Sequence, residues 1–301
     1  MKEMQPQEAR RVAELAPDLA PERRRRRQAL YGMAFVPAAF ALPLLWMRGA
    51  ELPEPEGMDL VICLDVSRSM LARDAAPSRL LRAQEEIRLL TARATGDRLA
   101  LVIFGGVARL EVPLTHDGAL LTVLASACGP DSAPSGGSDL GAALDAARAA
   151  LSGSAPGAAA ILLLSDGEDL EGHGAEAAGR LSERGVPVHC VGLGTTRGSK
   201  ITVRDEQGEK FLRNAAGVEV ITALDAPNLL AIAERSGGSF STASEVPGVL
   251  AQLYETTLLP QSRAQIARSV ETGGVDFAAL LLWGAALLWI LALATSDARK
   301  R

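Results

Sequence analysis

The sequence predicts an α/β fold: a doubly wound, mostly parallel sheet with helices on both faces, flanked by two transmembrane helices. Three observations predict it. Short aliphatic runs alternate with stretches of helical periodicity, those runs are almost continuously apolar, and an uncharged stretch long enough to span a bilayer lies on each side of them. Continuous apolarity marks a strand buried on both faces, as in a parallel sheet between helical layers, whereas a half-exposed antiparallel strand alternates. Composition agrees. Of 301 residues, 48% are hydrophobic, 22% charged and 4% aromatic, which suits a sizeable core of Ala- and Leu-rich helices laid on aliphatic strands.

The candidate strands are DLVICLDV at 59–66, RLALVIFGG at 98–106, AAAILLLSDG at 158–167 and VPVHCVGLG at 186–194, with RLEVPL at 109–114 as an antiparallel edge. Helices fill the intervals. Pro77-Ser78 opens one in which Leu80, Ala83, Ile87 and Leu90 share a face. Leu140, Leu144, Ala147 and Leu151 mark another, and Pro227 starts a third that ends near Gly237-Gly238, with proline at the start and glycine past the end as helix termini favour. Residues 199–224 interrupt the alternation with ITV and KFL around Asp205-Glu206-Gln207-Gly208, followed by VEVIT, and read as a β-hairpin insertion.

Residues 29–47 and 277–294 carry no charged side chain, and at about 1.5 Å per residue each roughly matches a 30 Å hydrocarbon layer. Both read as transmembrane helices, the first kinked at Pro37 and Pro43. Residues 1–47 hold 8 basic and 5 acidic residues, 48–276 hold 20 and 30, and 277–301 hold 3 and 1. Cationic ends resist translocation, so both termini are expected in the cytoplasm and the acidic middle outside it. The expected order is a cytoplasmic tail (1–28), a span (29–47), a linker (48–56), the α/β domain (57–260), a linker (261–276), a second span (277–294) and a cytoplasmic tail (295–301). MRGAELPEPEG after Trp46 lacks an A-x-A cleavage site, which favours an uncleaved anchor.

Several functions are disfavoured. A formal charge of −5 and a pI near 5.4 give no basic field for nucleic acid, and Arg23 to Arg27 are accounted for by the first span. Cys63, Cys128 and Cys190 form no metal spacing and leave an odd thiol, so all three read as buried or inert. His116, His173 and His189 make no H-E-x-x-H, no serine sits in G-x-S-x-G, and GLGTTRGSK at 192–200 lacks the glycine-lysine pair of a phosphate loop.

In an open α/β sheet, ligands bind beyond the carboxyl ends of the strands. Three places there are unusual: Asp65-Val66-Ser67-Arg68-Ser69, Gly136-Gly137-Ser138-Asp139 and Ser165-Asp166-Gly167. They offer only oxygen, which suits a hard divalent cation such as Mg²⁺ or Mn²⁺. Two ionised carboxylates about 5 Å apart would repel by roughly 3 kcal/mol at an effective dielectric of 20, and a cation removes that conflict. Taken singly, Ser138 could be a helix N-cap and Asp166-Gly167 an ordinary turn.

Taken together, D-x-S-x-S after a hydrophobic strand, a later G-G-S-D and L-L-L-S-D-G-E resemble the von Willebrand factor A (VWA) domain with its metal-ion-dependent adhesion site, MIDAS. The resemblance spans about residues 57–260. It implies that Asp65, Ser67, Ser69, Ser138 and Asp166 are metal ligands, directly or through water, and that an acidic group of a protein partner completes the octahedron. Ser138 stands where the family more often has threonine; it keeps the hydroxyl and lacks the methyl that restricts its rotamer. The string DVSRSMLARDAAPSRLLRAQEEI, then GDRLALVIFGG, VPLTHD, VHCVGLGT and IAERSGGSF, is similar to the aerotolerance-type (Bat) bacterial membrane proteins. That likeness implies work in an envelope assembly or stress-tolerance complex alongside related VWA proteins and a MoxR-type AAA+ ATPase. The expected function is a non-enzymatic, metal-dependent binding module in the inner membrane. The alternatives are a Mg²⁺-dependent phosphohydrolase, which lacks a second aspartate two residues after Asp65 and a cationic cluster to bear transferred charge, and a structural anchor with a vestigial metal site.

Overall fold

A computed structural model describes residues 57–133, 137–155, 157–205, 208–243 and 247–261, together with Trp283, Gly284, Ala286 and Leu287. Residues Pro55–Glu271 form one compact unit. Among the described residues no helix is long and apolar enough to cross a membrane. The expected span at 29–47 lies outside the described residues, as does nearly all of 277–294.

The aliphatic runs are strands. β1 (Asp59–Asp65), β2 (Arg98–Phe104), β3 (Ala108–Thr115), β4 (Ala159–Ser165) and β5 (Val188–Gly192) are followed by the short pieces β6 (Ser199–Lys200), β7 (Thr202–Asp205), β8 (Gly208–Phe211) and β9 (Ile221–Thr222), and then by β10 (Phe240–Thr242). The main sheet has the order β10-β5-β4-β1-β2-β3. Its pairs are parallel except β2 with β3, which is antiparallel as 109–114 predicts. All seven residues of β1 and of β4 are buried, so both faces must be covered, and the helices cover them.

α1 (Arg79–Thr91), α2 (Gly118–Ala127), α3 (Leu140–Ala150), α4 (Gly174–Ser182), α5 (Ala226–Ser236) and α6 (Val249–Leu253) supply those layers. Strand residues point alternately to the two sides. Leu60, Ile62, Leu64, Leu101 and Leu162 pack with Leu80 and Ile87 of α1, Leu121 of α2 and Leu250 of α6. Val61, Cys63, Val102, Ile161 and Leu163 pack with Leu140 and Leu144 of α3, Leu181 of α4 and Ile232 of α5.

Local chemistry sets the helix ends. Ser78 Oγ accepts from Leu81 N at 3.2 Å to start α1, and Asp139 accepts from Ala142 N at 2.8 Å to start α3, each satisfying an amide that the helix leaves unpaired. Asp225 does the same for Asn228 N at 3.1 Å, and α5 stops where Gly237 takes φ +79°. The cap of α3 is therefore Asp139, and Ser138 is left for another role. The sequence reading named no helix at α2, α4 or α6 and no strand at β10. In α2 apolar residues go all round, with Leu120 and Val123 exposed, so periodicity gave no signal.

One buried ion pair fixes α6. Glu86 accepts from Arg82 Nε at 3.2 Å and from the backbone of Gly248 (2.9 Å) and Leu250 (3.1 Å) at the start of α6. Glu86→Ala strands two amides and takes an ion-pair partner from a mostly buried guanidinium, and the expected loss is about 3 kcal/mol of unfolding free energy in urea titration. A change within experimental error would show that α6 docks by apolar contact alone.

Candidate metal centre

From β1 the chain runs to β2 and β3 on one side and returns to β4 on the other, so the carboxyl ends of β1 and β4 flank the switch point of the sheet, where open α/β folds bind ligands. Asp65 ends β1, Ser165 ends β4 and Asp166 follows it. The loop that leads into α3 enters from the β2 side, where Asp139 N donates to Gly105 O at 2.9 Å, and it meets the β4 side, where Leu170 N donates to Ser138 O at 3.0 Å. Gly137 takes φ +118° in that loop.

The site residues converge. Asp65 is fully buried; its Oδ1 accepts from Ser67 N at 2.9 Å, and its Oδ2 accepts from Ser165 Oγ at 2.6 Å and, at 3.5 Å, from Ser138 Oγ. Ser67 Oγ and Ser69 Oγ lie 2.9 Å apart. Asp166 is fully buried too. Its Oδ1 accepts from Glu168 N at 3.3 Å, and its Oδ2 accepts from Arg79 Nη1 at 2.8 Å and Thr222 Oγ1 at 3.3 Å. The turn after Asp166 is specific, because Gly167 takes φ +83° and a Cβ there would meet Asp225 O at 2.5 Å. Asp225 N in turn donates to Asp166 O at 2.8 Å.

Burial, and then the charge of Asp166, push the Asp65 carboxyl up to about 7, against the pull of its bonds from Ser165 and Ser67. Burial and Asp166 also raise Glu168. A buried carboxylate that resists ionisation beside another carboxylate is a place where a cation is electrostatically favourable. The donors fit one kind of ion. Among the described residues no group of three or more His, Cys, Asp and Glu side chains could hold a metal, so the set on offer is two carboxylates and serine hydroxyls, which suits a small hard divalent cation that retains waters and disfavours zinc.

Of the five residues the sequence singles out, Asp65, Ser67, Ser69 and Ser138 are tied into one hydrogen-bonded group, and Asp166 joins it through charge while its Oδ2 is held from behind. Gly136 lies outside the described residues. Sequence reasoning missed Ser165, which bridges Asp65 Oδ2 and Gly167 N at 2.9 Å. It also missed Arg79, read only as part of an amphipathic helix. An arginine one residue after Pro77-Ser78, on the buried side of the helix, was the available signal. Asp169 accepts from Leu140 N at 3.3 Å and Gly174 N at 2.9 Å at the starts of α3 and α4. The three cysteines are free and buried as expected, and burial pushes the Cys190 thiol up to about 12.

Comparison with known proteins agrees with this fold. The sequence model of the von Willebrand factor type A domain matches residues 60–168. A UPF0353 protein of Nocardia farcinica is 30% identical over 211 residues, 65% of this chain and 61% of that protein. A UPF0353 protein of Mycobacterium avium is 27% identical over 236 residues, 74% of this chain and 66% of its own length. The chain thus spans less than two thirds of the length of these curated relatives. A solved structure of BatB from Bacteroides thetaiotaomicron, described as a conserved hypothetical protein, superposes with a TM-score of 0.62 at 27% identity, over 71% of this chain and 100% of that one. An aerotolerance-related membrane protein from Bacteroides fragilis gives 0.60 at 27% identity, over 70% and 100%. Residues 60–168 match the von Willebrand factor type A domain, and the domain is similar to the solved structures of Bat-type, aerotolerance-related proteins.

Proposed function

We propose that the domain is a metal-dependent protein-binding module in which Asp65, Ser67, Ser69, Ser138 and Asp166 hold one Mg²⁺ or Mn²⁺ ion and an acidic side chain of a partner protein completes its coordination. The observation that carries this reading is the convergence of two buried carboxylates and three serine hydroxyls, from three loops, at the switch point of the sheet. Serine hydroxyls and waters leave a hard cation with exchangeable positions, so an incoming carboxylate can replace water without displacing a protein ligand. A binding role is supported by hydroxyls that are held by their neighbours, Ser67 with Ser69 and Ser138 with Asp65.

The uncharged runs at 29–47 and 277–294 support anchoring in a bacterial inner membrane, and the charge distribution supports cytoplasmic termini with the domain outside. The likeness to Bat-type proteins supports a place in an envelope assembly or stress-tolerance complex with related VWA proteins and a MoxR-type AAA+ ATPase. The test is affinity capture with the full chain from detergent-solubilised membranes, in Mg²⁺ and in EDTA. A partner retained in Mg²⁺, released by EDTA and lost with Ser67→Ala is expected. Retention that is equal under all three conditions would refute the metal-dependent reading.

A further inference from the structure

Arg79 is held on every side. It is fully buried, and all five of its N–H groups have partners. Nε and one Nη2 hydrogen go to the two oxygens of Asp74, each at 2.8 Å. Nη1 reaches Asp166 Oδ2 at 2.8 Å and Thr222 Oγ1 at 3.2 Å, and Nη2 reaches Thr222 O at 3.2 Å. Asp74 extends the network, because its Oδ2 also accepts from Thr195 N at 2.9 Å and Thr195 Oγ1 at 3.1 Å. Burial alone would push Asp74 up, but its bonds to Arg79 and Thr195 hold it below the usual carboxylate range. The backbone leaves room for the guanidinium: a Cβ on Gly194, where φ is +108°, would lie 2.3 Å from Arg79 Nε.

One planar group therefore joins the end of β4, the loop before α1, the Leu193–Thr195 turn and β9. The last two are the roots of the insertion at 199–224. A guanidinium is suited to this, since its donors lie in a fixed fork and a movement of one partner is transmitted to the others. Charge balance points the same way. Asp65, Asp74 and Asp166 against Arg79 leave two net negative charges when all are ionised, which is the amount one divalent cation neutralises.

We propose that Arg79 is the positioning residue of the metal site: it occupies Oδ2 of Asp166, leaving Oδ1 for the cation, and it locks the insertion at 199–224 to the same point, so that metal occupancy and order in the insertion are linked. This rests on the metal-binding reading above. It makes the insertion a surface whose order reports whether the site is loaded.

The experiment uses the full chain in detergent or lipid nanodiscs. Mn²⁺ affinity is measured by calorimetry, and amide hydrogen exchange of peptides covering 195–224 is followed with and without the ion. In the wild type the ion should slow exchange there severalfold. Arg79→Met should weaken Mn²⁺ binding by about tenfold or more and abolish the slowing. Asp74→Asn, which touches no candidate metal oxygen, should weaken the slowing while the ion still binds. Arg79→Lys, with a point charge in place of a fork, should recover part of the affinity and none of the link. Thermal unfolding of each variant identifies any that fails to fold, in which case Asp74→Asn decides. If the wild type binds Mn²⁺ but exchange at 195–224 does not change, or if the folded Arg79→Met and Asp74→Asn variants behave as wild type, the proposal fails. If the wild type binds no ion at all, the metal-site reading fails first.

Discussion

Asp65→Asn is expected to remove divalent-metal binding and yet to make the metal-free protein more stable at pH 8, by about 1–2 kcal/mol. The two effects have one origin. In the fold, burial and Asp166 push the Asp65 carboxyl from 3.8 to about 7, so ionising it costs free energy that the unfolded chain does not pay. Stability from this group is fully present below its unfolded value of 3.8 and is lost as pH rises through about 7. Asparagine keeps the volume and carries no charge. The gain should vanish below pH 4, and saturating Mg²⁺ should reverse it by stabilising the wild type alone. Urea titrations of both proteins in EDTA and in Mg²⁺, at several pH values, give the result. The comparison must be between proteins at each pH, because burial depresses His189 from 6.5 to about 4. That group's contribution is present above 6.5 and is lost as pH falls through about 4, the opposite direction. A variant less stable than wild type in EDTA at pH 8 would mean that Asp65 is held as a favourable anion without any metal.

Asp166→Asn should do the reverse and destabilise the protein by about 3 kcal/mol in EDTA, before any metal is considered. Asp166 lies against the fully buried Arg79, the side chains of both being inaccessible, and removing one partner of such a pair leaves an imperfectly compensated charge in a low-dielectric interior. Asp74 keeps two of the five guanidinium bonds, which limits the loss. The amide can still accept at one oxygen, so the bond is weakened more than deleted, but its charge is gone. Urea unfolding at pH 7.5 measures the effect. A loss below about 0.5 kcal/mol would show that Asp74 alone neutralises Arg79, and the contrast between the site's two aspartates would then disappear.

The sheet was legible because its strands are buried on both faces: DLVICLDV and AAAILLLS are short and almost continuously apolar, and their polar residues Asp59, Asp65 and Ser165 fall at the ends of β1 and β4. Capped helices were equally plain, with Pro77-Ser78 before α1 and Gly237 after α5. The gaps have physical reasons. α2 has no polar face to reveal its period, α6 has only five residues, and β10 has three, whose place is set by pairing with β5 far away in the sequence. The five candidate ligands stand out in the sequence because each lies at or just after a strand end, or just before a helix, in its own local motif. Ser165 and Arg79 were not, since a serine that ends a strand and an arginine that opens a helix look ordinary until folding brings residues 65, 79, 166 and 222 together.

Titrating the full chain with Mn²⁺ and following the free ion by electron paramagnetic resonance tests the central claim most directly. One ion bound per chain, displaced by Mg²⁺, and lost in both Asp65→Asn and Ser138→Ala is the predicted result. No binding by the wild type, or binding that survives both substitutions, would contradict it.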